Sequence, residues 1–182
     1  MKFEHQSIPE IVLVKPELFN DHRGYFFEVF QKEKFTQVGI DLKFVQQNQS
    51  GSKKGILRGL HYQIRQPQGK LVRVLSGEIY DVAVDIRKSS ATFGKWLGLN
   101  LDGKDHYQLW IPAGFAHGFL VMSEWAEVMY STTDYYAPEY ERTLLWNDPD
   151  IAIDWPINQN FKPVLSQKDL LGNTLRNAEV YG

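Results

Sequence analysis

From Glu78 to Ile86 the chain alternates, with Tyr80, Val82, Val84 and Ile86 on one side and Ile79, Asp81, Ala83 and Asp85 on the other. A period of two sends successive side chains to opposite faces of an extended strand and does not suit a helix. Further runs read as strands: Ile11–Val14, Phe44–Gln49, the segment from Gly55 to Val74 apart from its turn, Lys70–Leu75, Lys95–Leu101, Tyr107–Ile111, Phe119–Met122, Ala126–Tyr136 and Ile151–Trp155. Between them lie turn signals: Asn20–Gly24, a loop over Ser50–Gly55, Gln66-Pro67-Gln68-Gly69, Asp102-Gly103 and a loop over Pro112–Gly118. Proline presets its own φ and glycine tolerates positive φ, so such clusters end strands. Ser76-Gly77 between two β-like runs predicts a hairpin. Helix is expected only in short pieces, mainly near the C-terminus: Gln31–Val38, stopped by Gly39, and Ser166–Leu171, with Ser166 as N-cap and Asp169 three residues on. The expectation is an all-β sandwich or barrel, one domain over residues 1–182.

Composition narrows the function. A chain of 182 residues should bury roughly 70% of the surface it exposes when unfolded, enough for a core without staples. The absence of cysteine excludes disulfides, thiolate metal sites and cysteine nucleophiles. A net charge of -2 gives no general nucleic-acid footprint, so any anion must be met locally. No apolar run is long enough to span a bilayer and the N-terminus has no signal-like segment, which points to the cytoplasm. Aromatic residues make up 14% of the chain, which suits sheet cores and stacked ligands.

Gly55–Val74 concentrates the chemistry. Arg58, His61 and Lys70 sit among Leu57, Leu60, Tyr62 and Ile64, so a cationic patch is set in a β structure and calls for an anion. A histidine in a strand is commonly structural, yet His61 shares its segment with two cations, and imidazole is the side chain best suited to take a proton near neutrality. Cations beside it lower its pKa and keep it neutral, while a carboxylate behind it would oppose that shift and fix the tautomer. Pro112-Ala113-Gly114-Phe115-Ala116-His117 resembles the second cupin motif, P-x-G-x-x-H. Metal cupins add two histidines and a glutamate from a first motif. Here Gln63 stands where the second histidine would be and no glutamate follows at the required spacing, so a cupin-like barrel without a metal is expected. Tyr130 alternates with Val128 and Thr132 and reads equally as core; Tyr136 and Phe26 read as core or as stacking faces for a base.

Taken together, Arg58-Gly59-Leu60-His61-Tyr62-Gln63, Gln68-Gly69-Lys70-Leu71-Val72 and Ile111–Phe119 resemble the dTDP-4-dehydrorhamnose 3,5-epimerases. The likeness runs from Asp21–Glu28 through Thr133–Pro138 to Leu165–Asp169. It implies a cupin-type jelly roll and cofactor-free epimerisation of a dTDP-4-keto-6-deoxy sugar at C3 and C5. His61 then corresponds to the general base, Asp169 to its orienting partner, Lys70 to the cation at the enolate oxygen and Tyr130 to the acid on the opposite face. Arg23, Glu28, Gln46, Asn48, Arg58, His117, Glu141 and Lys168 correspond to nucleotide-sugar contacts, and Phe26 and Tyr136 to aromatics enclosing thymine. The resemblance also implies a homodimer with exchanged N-terminal strands. Relatives that epimerise one centre or shift the ketone, and a non-catalytic nucleotide-sugar-binding cupin, are the alternatives. Two departures stand out: Gln47 where the family often has an acidic residue, and a short stretch between Tyr62 and Gly69.

Overall fold

The alternation of Glu78–Asp85 sorts that strand between two cores. Ile79 and Ala83 pack with Val72, Val74, Val121 and Val128 in an inner cluster, whereas Val82, Val84 and Ile86 pack with Ile151 and Trp155 from the C-terminal tail. The computed structural model describes residues 1–41, 43–157 and 161–182. Its strands are β1 (Lys2–His5), β2 (Val12–Lys15), β3 (Phe19–Asp21), β4 (Gly24–Phe26), β5 (Gln46–Lys53), β6 (Leu57–Gln63), β7 (Lys70–Ser76), β8 (Glu78–Asp85), β9 (Trp96–Asp102), β10 (Gln108–Ile111), β11 (Phe115–Val121), β12 (Trp125–Thr132) and β13 (Glu141–Thr143). The helices are α1 (Lys32–Gln37) and α2 (Gln167–Leu170). Six strands form one sheet in the order β1-β2-β10-β7-β12-β5, five form a second in the order β13-β6-β11-β8-β9, and β3 and β4 pair only with each other. All named pairs are antiparallel, and the inner cluster lies between the two large sheets, as in a cupin-type jelly roll. A third cluster, in which Phe35 of α1 meets Val12, Val14, Leu71 and Trp110, covers the outer face of the six-stranded sheet.

Several sequence expectations are corrected. Ser76-Gly77 does not close a hairpin: β7 pairs with β10 and β12, β8 pairs with β9 and β11, and the dipeptide carries the chain from one sheet to the other. Gly77 has φ +78, and a Cβ there would lie 2.1 Å from the carbonyl oxygen of Trp125, so the corner admits only glycine. The Ser50–Gly55 loop is strand as far as Lys53, because β12 supplies a full register of partners from Gln46 to Lys53. Pro112–Gly118 is a turn only through Gly114, and His117 stands inside β11. Ile151–Trp155 forms no strand; Asp148 instead accepts from the backbone N–H groups of Asp150 at 2.7 Å and Ile151 at 3.3 Å, which curls the segment over β8. The helices are short as expected, and with a single 3-10 turn over Pro138–Tyr140 two of the three helical pieces among the described residues lie in the last quarter of the chain. Ser166 caps α2 as anticipated, accepting from Asp169 N, and Gln31 caps α1 in the same way by accepting from Lys34 N.

Candidate active site

Arg58 and His61 are three residues apart, and in a regular strand they would face opposite ways. Yet Leu57, Leu60 and Tyr62 all lie in the outer cluster, while Arg58, His61 and Gln63 line one cavity of about 360 Å³. The phase slips at Gly59-Leu60. His117 pairs with His61 and Phe119 with Arg58, so Gly118 alone stands opposite two residues of β6. This bulge turns the guanidinium and the imidazole to the same side. It depends on close backbone approach: a Cβ on Gly59 (φ +118) would lie 2.5 Å from Gly118 Cα, and one on Gly118 would lie 2.6 Å from the Arg58 carbonyl oxygen.

His61 Nε2 donates to Asp169 Oδ1 at 2.5 Å, across 108 positions of sequence. That bond holds the ring proton on Nε2 and leaves Nδ1 as the basic atom. Asp169 is buried in the first turn of α2, and its other oxygen accepts from Ser166 Oγ at 2.8 Å. Burial lowers the imidazole pKa, Lys168 and Lys70 lower it further, and Asp169 opposes them. Burial would raise Asp169, but the bond from His61, then Ser166 and Lys168, hold its carboxyl below the ordinary range.

Facing β6 across the barrel, β7 and β12 contribute Lys70 and Tyr130. Lys70 Nζ donates to the carbonyl oxygen of His61 at 3.2 Å, and burial pushes the ammonium down to about 8, against the pull of Asp81 and Glu141. Burial raises the Tyr130 phenol, with Arg58 opposing and Glu141 adding to the rise, so it stays protonated and can donate. Arg58 is held by Ser52, its Nε 3.0 Å from Oγ. At the rim, Glu141 accepts from Lys168 Nζ at 2.8 Å and from the Tyr136 hydroxyl at 3.0 Å. Gln46 donates to Asn48 at 3.0 Å and accepts from Tyr136 N at 3.0 Å.

The cavity therefore gathers His61, Lys70, Tyr130, Gln46, Asn48, Arg58, His117, Tyr136, Glu141 and Lys168, with Asp169 behind His61. Arg23, Phe26 and Glu28 are not brought to it. Arg23 pairs with Asp21 on the small hairpin, Phe26 is 70% exposed there, and Glu28 pairs with Lys34 at 2.7 Å. Gln47 points away from the cavity and donates to Ser131 Oγ at 3.1 Å, so the departure at that position does not alter the cavity wall. Gln63, in the place of a cupin metal ligand, spends its amide on Gln66 O, Tyr135 O and Ala137 N. Sequence reasoning missed Ser52, placed in a loop, and Asp81, whose inward position was readable from the alternation but whose partner, His117, was not.

A base with a fixed tautomer, a buried ammonium and a protonated phenol around one cavity can remove a proton beside a carbonyl and return one elsewhere. The comparisons with known proteins point the same way. The chain is 51% identical over 182 residues to the dTDP-4-dehydrorhamnose 3,5-epimerase of Pseudomonas aeruginosa, covering 100% of this chain and 99% of that one. The structure of dTDP-6-deoxy-D-glucose-3,5-epimerase from Legionella pneumophila, in complex with dTDP-4-keto-L-rhamnose, superposes with a TM-score of 0.93 at 47% identity, covering 98% of this chain and 94% of that one. A 3'-monoepimerase from Streptomyces bikiniensis, in complex with dTDP-quinovose, gives 0.87 at 35% identity, covering 94% and 86%. The dTDP-4-dehydrorhamnose 3,5-epimerase family model matches residues 5–177, and the chain belongs to that family of sugar-nucleotide isomerases.

Proposed function

We propose that this epimerase converts dTDP-4-dehydro-6-deoxy-D-glucose to dTDP-4-dehydro-L-rhamnose by inverting C3 and C5 without a cofactor. The observation that carries the reading is the convergence of the His61–Asp169 pair, Lys70 and Tyr130 on one cavity, with His61 on one sheet and the other two on the facing sheet. His61 takes the proton from a carbon next to the C4 ketone, and the electron pair moves to the ketone oxygen as an enolate. Lys70 stabilises that oxygen as charge develops, a role whose loss typically costs about 2.7–4 kcal/mol. Tyr130 then protonates the same carbon from the opposite face, and the centre is inverted. Arg58 and Lys168 offer donors for the pyrophosphate, His117 a ring nitrogen in the cavity wall for the sugar, and Tyr136 a face for thymine.

Arg23, Phe26 and Glu28 complete the nucleotide site from a second subunit in this reading. It is supported by the small hairpin, where Phe19, Tyr25 and Phe26 are 58%, 60% and 70% exposed and β3–β4 joins neither large sheet. Light scattering after size exclusion checks it: a homodimer is the expected result, and a monomer at working concentration removes the partner from the site.

Incubating the 4-keto sugar nucleotide with the protein in D₂O tests the reaction. Deuterium at C3 and C5 with inverted configuration is expected, and deuterium at one centre alone selects the mono-epimerase reading that the Streptomyces bikiniensis similarity raises. Tyr130→Phe should still admit deuterium, returned from protonated His61, while keeping the starting configuration. Inversion at both centres by that variant at near wild-type rate excludes Tyr130 as the acid.

A further inference from the structure

Below the cavity wall lies a second histidine–carboxylate pair, His117 and Asp81, on adjacent strands of the five-stranded sheet. Asp81 is fully buried, between Ile79 and Ala83 of the inner cluster. Both its oxygens lie against His117 Nε2, at 3.0 and 2.8 Å, and among the described residues it has no other side-chain hydrogen bond. A carboxylate sealed in an apolar core is costly unless a positive charge answers it.

The other charges around the cavity are already matched. Lys168 pairs with Glu141 at 2.8 Å, His61 with Asp169 at 2.5 Å, and Arg58 sits at the exposed end of its strand against Ser52. Lys70 is different. Among the described residues its Nζ bonds only a backbone carbonyl, and no carboxylate of theirs lies within 4 Å of it. Lys70 stands in phase with Val72 and Asp81 with Ile79 and Ala83, all of the inner cluster, so the ammonium and a carboxylate bonded to His117 share the barrel interior.

We propose that Asp81 is a positioning residue that holds the His117 ring in the cavity wall and supplies the interior negative charge that keeps Lys70 an ammonium. Burial acts against the ammonium, and Asp81 is the foremost influence opposing it. The groups around Lys70 are Arg58 and His61 from β6, Asp81 from β8, His117 from β11, Tyr130 from β12, Glu141 from β13 and Lys168 from α2; of the two carboxylates among them, Glu141 is committed to Lys168. The proposal rests on the epimerase reading, because it is the protonated Lys70 that meets the enolate.

The test is the pH dependence of kcat/KM from about pH 5 to about pH 9.5. In the wild type the rate should fall on the alkaline side as Lys70 loses its proton. Asp81→Asn should move that alkaline limb down by about one pH unit or more, so that its deficit against wild type widens as pH rises. His117→Gln keeps the carboxylate and a donor for it, and should lower the rate while leaving the limb in place. An alkaline limb unmoved by Asp81→Asn, or moved equally by both variants, overturns the proposal. Should Asp81→Asn not fold, Asp81→Glu keeps the charge and must keep the limb; a limb that falls in that variant also overturns it. A wild type that neither exchanges deuterium nor epimerises would instead remove the epimerase reading itself, so the two failures are distinct.

Discussion

The protein carries two histidine–aspartate pairs on neighbouring strands, with His61 and His117 directly opposite each other in the β6–β11 register. In chemistry they match; in setting they do not. The His61 side chain is 26% exposed, and its carboxylate is held by a second donor, Ser166, from a helix at the far end of the chain. The His117 side chain is 7% exposed and its carboxylate not at all, with hydrophobic neighbours along the strand. One pair is open to a ligand and braced from behind; the other is nearly closed, reaching the cavity only through its imidazole. Accessibility, not the pair itself, separates a group that can exchange a proton with substrate from one that sets the field around it.

The strongest way to break the comparison is His61→Asn. Loss of the open imidazole should stop deuterium uptake and inversion together, by about 10²–10⁴-fold in kcat. His117→Asn should cost far less and leave exchange measurable by mass spectrometry. Equal losses would mean that both histidines touch the reacting carbon.

Next in size is Lys70→Met, expected to lower kcat by about 10²–10³-fold while dTDP affinity by calorimetry stays near wild type. The same change should stabilise the fold. Burial takes Lys70 from its ordinary 10.5 to about 8, so the charged form costs the folded state. That cost is fully present below about pH 8 and disappears as pH rises towards the unfolded value. Removing it should be worth about 1–3 kcal/mol at pH 7, and Tm rises about 2–4 °C for each kcal/mol in a chain of this size. The gain should shrink by pH 10. A Tm that falls at pH 7 would show that the bond to the His61 carbonyl and the answer to the Asp81 carboxylate together outweigh the cost of burying the ammonium.

The two limbs of the wild-type pH profile sharpen the contrast further. In the proposed mechanism His61 acts as the neutral imidazole, and burial holds its pKa below the usual 6.5, so the acid limb should lie below that value. Lys70 must be charged, so the alkaline limb should lie near pH 8. Asp169→Asn should cost about 10²-fold and move the acid limb lower, because Asp169 is what raises the imidazole pKa against burial. The carboxylate of the open pair thus governs one limb and that of the closed pair the other. An acid limb that rises in Asp169→Asn contradicts this division.

How much of this was readable beforehand follows from what local pattern encodes. The alternation of Glu78–Ile86 and the turn residues were enough for an all-β fold, because period and punctuation are local properties. Partner choice is not local, so Ser76-Gly77 read as a hairpin although its two strands find their hydrogen bonds in different sheets. Ser50–Lys53 looked like loop because Ser, Gly and Lys carry no β pattern of their own; the register offered by β12 makes it strand and delivers Ser52 to Arg58. The cationic patch was visible in Arg58, His61 and Lys70. The bulge that turns Arg58 and His61 to one face depends on Gly59 meeting Gly118, a contact between residues 59 positions apart. Asp169 came through family resemblance, since no spacing rule links it to His61.

The smallest expected effect tests the brace of the open pair. Ser166 has two tasks: its hydroxyl oxygen accepts from Asp169 N at 3.2 Å as the cap of α2, and it donates to Asp169 Oδ2 at 2.8 Å. Ser166→Ala removes both. Loss of the cap should cost about 1 kcal/mol of stability, and loss of one hydrogen bond to a carboxylate that stays bonded to His61 should lower kcat by only about 3–10-fold. Ser166→Thr keeps the oxygen and should restore both quantities. Among the described residues Asp81 has no such second side-chain donor, so the closed pair offers no equivalent substitution. If Ser166→Ala falls as far as Asp169→Asn, the helix itself, and not the carboxylate's second bond, is what holds the base; Ser166→Gly, which suits the cap position but carries no side-chain donor, separates those cases. Stability recovered without rate assigns the loss to the missing donor, and recovery of both assigns it to the cap.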